Sequence, residues 1–108
     1  MGTKKALLKD LRTFVKRISK EYPLQKVILF GSQATGKIHK NSDVDLILVS
    51  KRFEGISRLD RSPDLYLQWD LDYPVDFLCY TPKEFNKKKK QISIVQKAVH
   101  EGIEVYAA

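Results

Sequence analysis

Cysteine is nearly absent: Cys79 is the only one in the sequence, which excludes an internal disulfide and any site built from several thiolates. It sits in the apolar run Val75 to Tyr80 and reads as a small core residue. Histidine is almost as scarce. His39 and His100 are far apart and neither has a cysteine or a second histidine at ligand spacing, which argues against zinc and leaves both as ordinary surface or packing residues. No apolar run approaches the length that crosses a bilayer. The opening Met1-Gly2-Thr3-Lys4-Lys5-Ala6 has the charge of a signal peptide, but Leu7-Leu8-Lys9-Asp10-Leu11-Arg12 interrupts any apolar segment behind it, and Ala6 stands where a myristoylation signal needs Ser or Thr. A soluble, cytoplasmic protein with no membrane partner is expected. There is no internal repeat and no linker rich in Pro, Gly or Ser, so residues 1–108 are expected to form a single domain. Such a domain buries one modest core and has little room for a separate substrate-recognition module.

What is present in excess is positive charge. Lys and Arg total 20 against 13 Asp and Glu, a net charge of +7, which biases the chain towards phosphate-rich partners without choosing among them. RNA is one such ligand, with salt-dependent binding as its signature. Part of the charge lies in Lys87-Lys88-Lys89-Lys90. Within a helical pattern, and without interleaved aromatics, that run reads as a solvated face.

Periodicity supplies the elements. Leu7, Leu8, Leu11, Phe14, Val15 and Ile18 recur at three- and four-residue spacing, which predicts an amphipathic helix from Ala6 to Tyr22, ended by Pro23. Lys26 to Phe30 predicts a buried strand stopped by Gly31-Ser32, and Asp43 to Val49 a second strand, polar at its start and apolar beyond. Between Ser50 and Tyr73 neither period is clean; one helix around Ile56 to Arg61, or a longer one reaching Trp69, is expected. Val75 to Tyr80 predicts a third strand with Pro74 just before it. Thr81-Pro82-Lys83-Glu84 is a capping-box signature, which starts a helix or a broken pair of helices running to about Glu101, closed by Gly102. Ile103 to Tyr106 makes a last short strand. The resulting order is α/β of the α+β kind: a mixed sheet of three to four strands with helices packed mainly on one face.

Chemistry enters where a buried strand begins with acids. Asp43 and Asp45, two residues apart on a strand, leave the same face about 7 Å apart and can share a cation. Asp76, in the apolar third strand, adds a third carboxylate if the two strands are neighbours. Like charges held together cost free energy until a divalent metal neutralises them, and hard oxygen donors with room for water and phosphate suit Mg²⁺. Gly31 lets the chain turn sharply off the first strand, and Ser32 brings a hydroxyl and an amide to the start of the next helix, where an anion is favoured. A competing pair, Asp70-x-Asp72, lacks a following apolar strand and reads as solvated loop acids. Tyr66, Trp69 and Tyr73 could stack a base, with core or partner contact as the default.

Gly31-Ser32, ten residues, then Asp43-x-Asp45, with Asp76 later, resembles the G-S-x10-D-x-D signature of the minimal nucleotidyltransferases in the DNA polymerase beta-like superfamily. The resemblance spans Lys26 to Tyr80 and, less specifically, Glu101 to Tyr106. It implies a polymerase beta palm-like fold, with Gly31 and Ser32 on the β- and γ-phosphates, Asp43 and Asp45 binding both metals, and Asp76 helping to activate an acceptor hydroxyl. Mg²⁺ and ATP are the implied cofactor and substrate. One departure stands out: Gly31-Ser32-Gln33-Ala34-Thr35-Gly36 has Thr35 where many relatives carry arginine, so Lys37 or Lys40 is left to supply the charge, as a point charge without the bidentate fork.

By that resemblance the chain is expected to be an enzyme that transfers a nucleoside monophosphate, AMP from ATP, to a hydroxyl presented by a partner. The specific picture is the antitoxin half of a HEPN/MNT pair, acting on a tyrosine of the HEPN toxin made by the adjacent gene. Two alternatives are a non-catalytic antitoxin that neutralises its partner by binding alone, and a small-molecule or RNA-end nucleotidyltransferase, whose acceptor site a homo-oligomer could complete.

Overall fold

A computed structural model describes residues 4–31, 34 and 43–108. Helix α1 spans Lys4–Ile18 and buries Leu7, Leu11, Phe14, Val15 and Ile18, the stripe its periodicity marks. Lys16 and Arg17 occupy its last turn, where the helix dipole favours cations. It ends at Ile18, short of the expected Tyr22. The Tyr22 amide still reaches back to the Ile18 carbonyl at 2.9 Å, and Pro23 then forces the chain into an extended course.

Strand β1, Leu24–Phe30, pairs antiparallel with β2, Val44–Ser50. Strand β3, Val75–Tyr80, runs parallel to β2, and β4, Ile103–Ala107, runs antiparallel to β1. The lateral order is β3-β2-β1-β4, a mixed sheet at the upper end of the three to four strands expected from the sequence. β1 and β2 are buried on both faces, which explains their nearly continuous apolar composition.

Alternation assigns each residue to a face. Val27, Leu29, Val44, Leu46, Leu48, Phe77 and Cys79 join α1 in the larger core cluster. Ile28, Phe30, Ile47, Val49 and Tyr80 point the other way, against Phe85, Val95 and Ala98. The expected helical cover is therefore the larger of two layers. A smaller one, from helices α3 (Pro82–Lys88) and α4 (Ile94–Glu101), lies on the opposite face.

The stretch from Ser50 to Tyr73 departs from both expected helices. It holds two short 3-10 turns, Lys51–Phe53 and Arg58–Asp60, followed by helix α2 at Pro63–Gln68. Pro63 sits at the first helical position, so no helix can run through it from Ile56. Arg61, buried at 7% exposure, ties the segment down. Its guanidinium donates to the Ile56 carbonyl at 2.8 Å, the Cys79 carbonyl at 3.2 Å and the Glu84 carboxylate at 2.6 and 3.2 Å. The Arg61 charge and hydrogen bonds hold the Glu84 carboxyl down at about 2.

Beyond β3 the elements match their local sequence signals. Thr81 and Glu84 form a complete capping box at the start of α3. The helical stretch behind it is the broken pair expected, with Ser93 capping α4 by accepting from the Gln96 amide at 3.2 Å. Cys79 is buried as expected, and burial pushes its thiol up to about 12. Among the described residues no helix is long and apolar enough to cross a membrane.

Candidate active site

A single row across the sheet organises the site. Phe30, the last residue of β1, pairs with Asp45 of β2, and Asp45 pairs with Asp76 of β3. β2 and β3 run parallel, so both acids lie near strand starts, at the edge where β1 ends. The alternation that sends Leu46 and Phe77 into the larger core turns Asp45 and Asp76 towards the face carrying α3 and α4.

Asp45 is half-buried and Asp76 exposed. Burial is the main cause that raises the Asp45 carboxyl above its ordinary range, and the charges of Asp76 and then Asp43 raise it further. Asp43 stands one residue before β2 and is exposed. It is not part of the strand as expected, yet it is near enough for its charge to act on Asp45.

Gly31 follows Phe30 with φ at +79°, and a Cβ placed on it would stand 2.5 Å from Asp45 Oδ2. The left-handed backbone favours glycine, and the close approach brings the Asp45 carboxylate directly against the turn-off from β1. The Ala34 amide donates to the Gly31 carbonyl at 3.1 Å. The structure therefore brings together Gly31, Asp43, Asp45 and Asp76. Ser32 and Lys37, with Thr35 and Lys40, lie outside the described residues.

Two features escaped sequence reasoning. The Tyr66 hydroxyl donates to Asp76 Oδ1 at 3.1 Å and accepts from the Phe77 amide at 3.2 Å, while its ring meets Phe77 edge-on at 5.0 Å. Tyr66 thus braces the third acid. No local signal could have placed it, because α2 has too few residues to show a period. The second feature is a cavity of about 460 Å³ between Phe30, Gly31 and Asp45 on the sheet and Ile94, Lys97 and Glu101 on α4. The spacing of Lys97 and Glu101 marks them only as neighbours on one helix face.

The remaining candidates settle elsewhere. Asp70 pairs with Arg17 through hydrogen bonds of 3.0 and 3.1 Å, so it is a surface tie between α2's end and α1. Trp69 packs against Phe14 and Phe77 and donates from Nε1 to the Tyr73 carbonyl at 2.7 Å, a core role. In the lysine run, Lys88 and Lys89 lie over the rings of Tyr80 and Phe85.

As a metal site the donor set has the right chemistry, since Asp45 and Asp76 are hard oxygen ligands whose mutual repulsion a divalent cation would relieve. Among the described residues no three Asp, Glu, His or Cys side chains are already gathered as a metal cage. The pair, with Asp43 alongside, is therefore an open arrangement.

The sequence model of the nucleotidyltransferase domain matches residues 8–100. The chain belongs to this family. No curated protein matches the sequence. Among solved structures, a Sulfolobus solfataricus protein provisionally described as a nucleotidyltransferase is similar with a TM-score of 0.65 at 20% identity, covering 94% of this chain and 80% of that one. A toxin–antitoxin complex solved with AMP-PNP gives 0.57 at 24% identity, covering 90% and 73%. A mutant of the MntA–HpeT toxin–antitoxin gives 0.57 at 21% identity, covering 94% and 73%. At these identities the structures establish the fold, which is that of nucleotidyltransferases.

Proposed function

We propose that this nucleotidyltransferase domain transfers AMP from ATP to a hydroxyl carried by a protein partner, a tyrosine of a HEPN-type toxin, and so acts as the antitoxin of the pair. The observation that carries the reading is the row Phe30–Asp45–Asp76 with Gly31 packed against the Asp45 carboxylate. A positive-φ glycine set against paired acids supports a site for a metal-bound polyphosphate, since packing alone gives no use for acids held together. Two structural neighbours are toxin–antitoxin complexes, one of them solved with AMP-PNP, which supports both the nucleotide and the partner.

In this reading the Gly31–Ser32 turn holds the β- and γ-phosphates through its backbone and the serine hydroxyl. Asp43, Asp45 and Asp76 would hold Mg²⁺, which supplies neutralising charge between carboxylates and polyphosphate. The acceptor oxygen bonds to the α-phosphorus, the bond from that phosphorus to the bridging oxygen of the β-phosphate breaks, and pyrophosphate leaves. Asp76, the most exposed of the paired acids, takes the hydroxyl proton, with Tyr66 fixing its Oδ1. Lys37 adds charge to the phosphate site. A protein acceptor finds apolar surface to bury beside the cavity, where Ile92 and Ile94 are 99% and 52% exposed.

One observation favours a second reading. Thr35 stands where, by the resemblance, many relatives carry arginine, which suits an antitoxin that neutralises its partner by binding alone. Incubation with labelled ATP, Mg²⁺ and the adjacent-gene protein separates the two. Label transferred to that protein by the wild type and not by Asp45→Asn supports catalysis, whereas a stable complex with no transferred label supports binding alone.

A further inference from the structure

We infer that Lys97 of α4 supplies a cation for the nucleotide's polyphosphate. The inference rests on the nucleotidyl-transfer reading and assigns it a residue outside the glycine-serine segment. Lys97 lines the same cavity as Gly31 and Asp45, and it is the only Lys or Arg among the described residues to do so. A polyphosphate seated on the Gly31 turn therefore lies within the space this side chain reaches.

The backbone under Lys97 is fixed relative to that turn. Val95 and Ala98, on either side of it, are buried at 0% and 2% exposure against the sheet. At the end of α4, Gly102 packs so tightly on the strand leading to Gly31 that a Cβ there would stand 2.7 Å from the Leu29 carbonyl oxygen. Helix α4 is thus clamped to β1 two residues before the phosphate turn.

The ammonium, by contrast, is free to move. Its ion partner is Glu101 at 3.9 Å, the outer limit of such a pair, with side-chain exposures of 76% and 54%. So weak and solvated a pair is given up at little cost. The lysine then meets a ligand with several negative charges, where a flexible point charge is effective without a bidentate fork. Glu101 on the same wall repels any polyphosphate that approaches without a cation, so the wall discriminates between a charge-compensated triphosphate and a bare one.

The test is calorimetry on the full chain with ATP and with AMP, both with Mg²⁺, comparing wild type, Lys97→Gln, Lys97→Arg and Lys37→Gln. The Lys97 side chain is exposed, so its replacement leaves the core untouched, and circular dichroism checks the fold of every variant directly. Lys97→Gln is expected to raise the Kd for ATP about tenfold, as loss of one charge-assisted contact does. AMP binding stays within about twofold and Lys97→Arg recovers most of the ATP affinity, because only the distal phosphates meet this charge. Wild-type affinity for ATP in Lys97→Gln, equal losses for ATP and AMP, or a loss confined to Lys37→Gln overturns the inference while leaving nucleotide use intact. A wild-type chain that binds no ATP overturns the reading beneath it as well.

Discussion

Replacing Asp45 by Asn should make the fold more stable while destroying its chemistry. Adjacent strands stand about 4.8 Å apart, so carboxylates paired across them and leaving the same face lie roughly 5 Å apart. At that separation two unit charges repel by about 3 kcal/mol at an effective dielectric of 20, and by about 0.8 kcal/mol in bulk water. Asp45 is half-buried and Asp76 is exposed, so screening brings the repulsion to about 1 kcal/mol. Asp45→Asn should gain that amount at pH 7, or about 5 °C in melting temperature for a domain of this size. Asp76→Asn should gain a similar amount, since the amide oxygen still accepts from Tyr66. The double variant should gain less than the sum, because both substitutions remove one shared repulsion. The pH dependence follows from the raised Asp45 carboxyl. A group raised on folding favours the fold below its unfolded value and opposes it once ionised, so the advantage of Asp45→Asn opens above about pH 4, grows as pH rises through the raised folded value, and is absent at about pH 3. Urea titrations in EDTA at about pH 3 and pH 7 measure this. A neutral or destabilising Asp45→Asn at pH 7, or strictly additive gains, would refute the claim that the two acids are held against each other.

Other substitutions test separate residues of the site and its supports. Gly31→Ala should cost about 1–2 kcal/mol from its left-handed backbone alone, displace Asp45, and abolish ATP binding by calorimetry; wild-type binding would contradict the close approach of turn and acid. Tyr66→Phe removes a hydrogen bond to Asp76 and leaves the Phe77 amide without its partner, so stability should fall by about 1 kcal/mol and transfer by about fivefold, with a shifted pH–rate profile. An unchanged profile would make Tyr66 a packing residue only. Glu84→Gln should destabilise by about 1–2 kcal/mol at pH 7, measured by urea titration, the partial exposure of Glu84 limiting the effect. Because the Glu84 carboxyl is held at about 2 against an ordinary 4.5, that loss should shrink as pH falls between those values and vanish below them.

What the sequence made legible was whatever depends on short-range pattern. Strands β1, β2 and β3 are apolar runs, and β2 and β3 each admit one acid as their second residue, Asp45 and Asp76. The capping box at Thr81 is complete within four residues. The neighbourhood of β2 and β3, on which the Asp45–Asp76 pair depends, is a condition that the sequence leaves open, and the register meets it. The segment from Ser50 to Tyr73 was opaque because its order comes from afar. Arg61 bonds to the Cys79 carbonyl and Glu84, and Asp70 to Arg17, 53 residues away, so no local period records the fold there. For the same reason Tyr66 read as core or partner contact; its contact with Asp76 arises only when the chain returns to the acid row.

The most direct measurement is a crystal structure of the chain with Mg²⁺ and a non-hydrolysable ATP analogue. The polyphosphate is expected on the Gly31–Ser32 turn, with metal bound between it and Asp43, Asp45 and Asp76. A nucleotide bound elsewhere, for instance along Lys87–Lys90, with the three carboxylates left without metal or phosphate, would contradict the acid row as the centre of the chemistry.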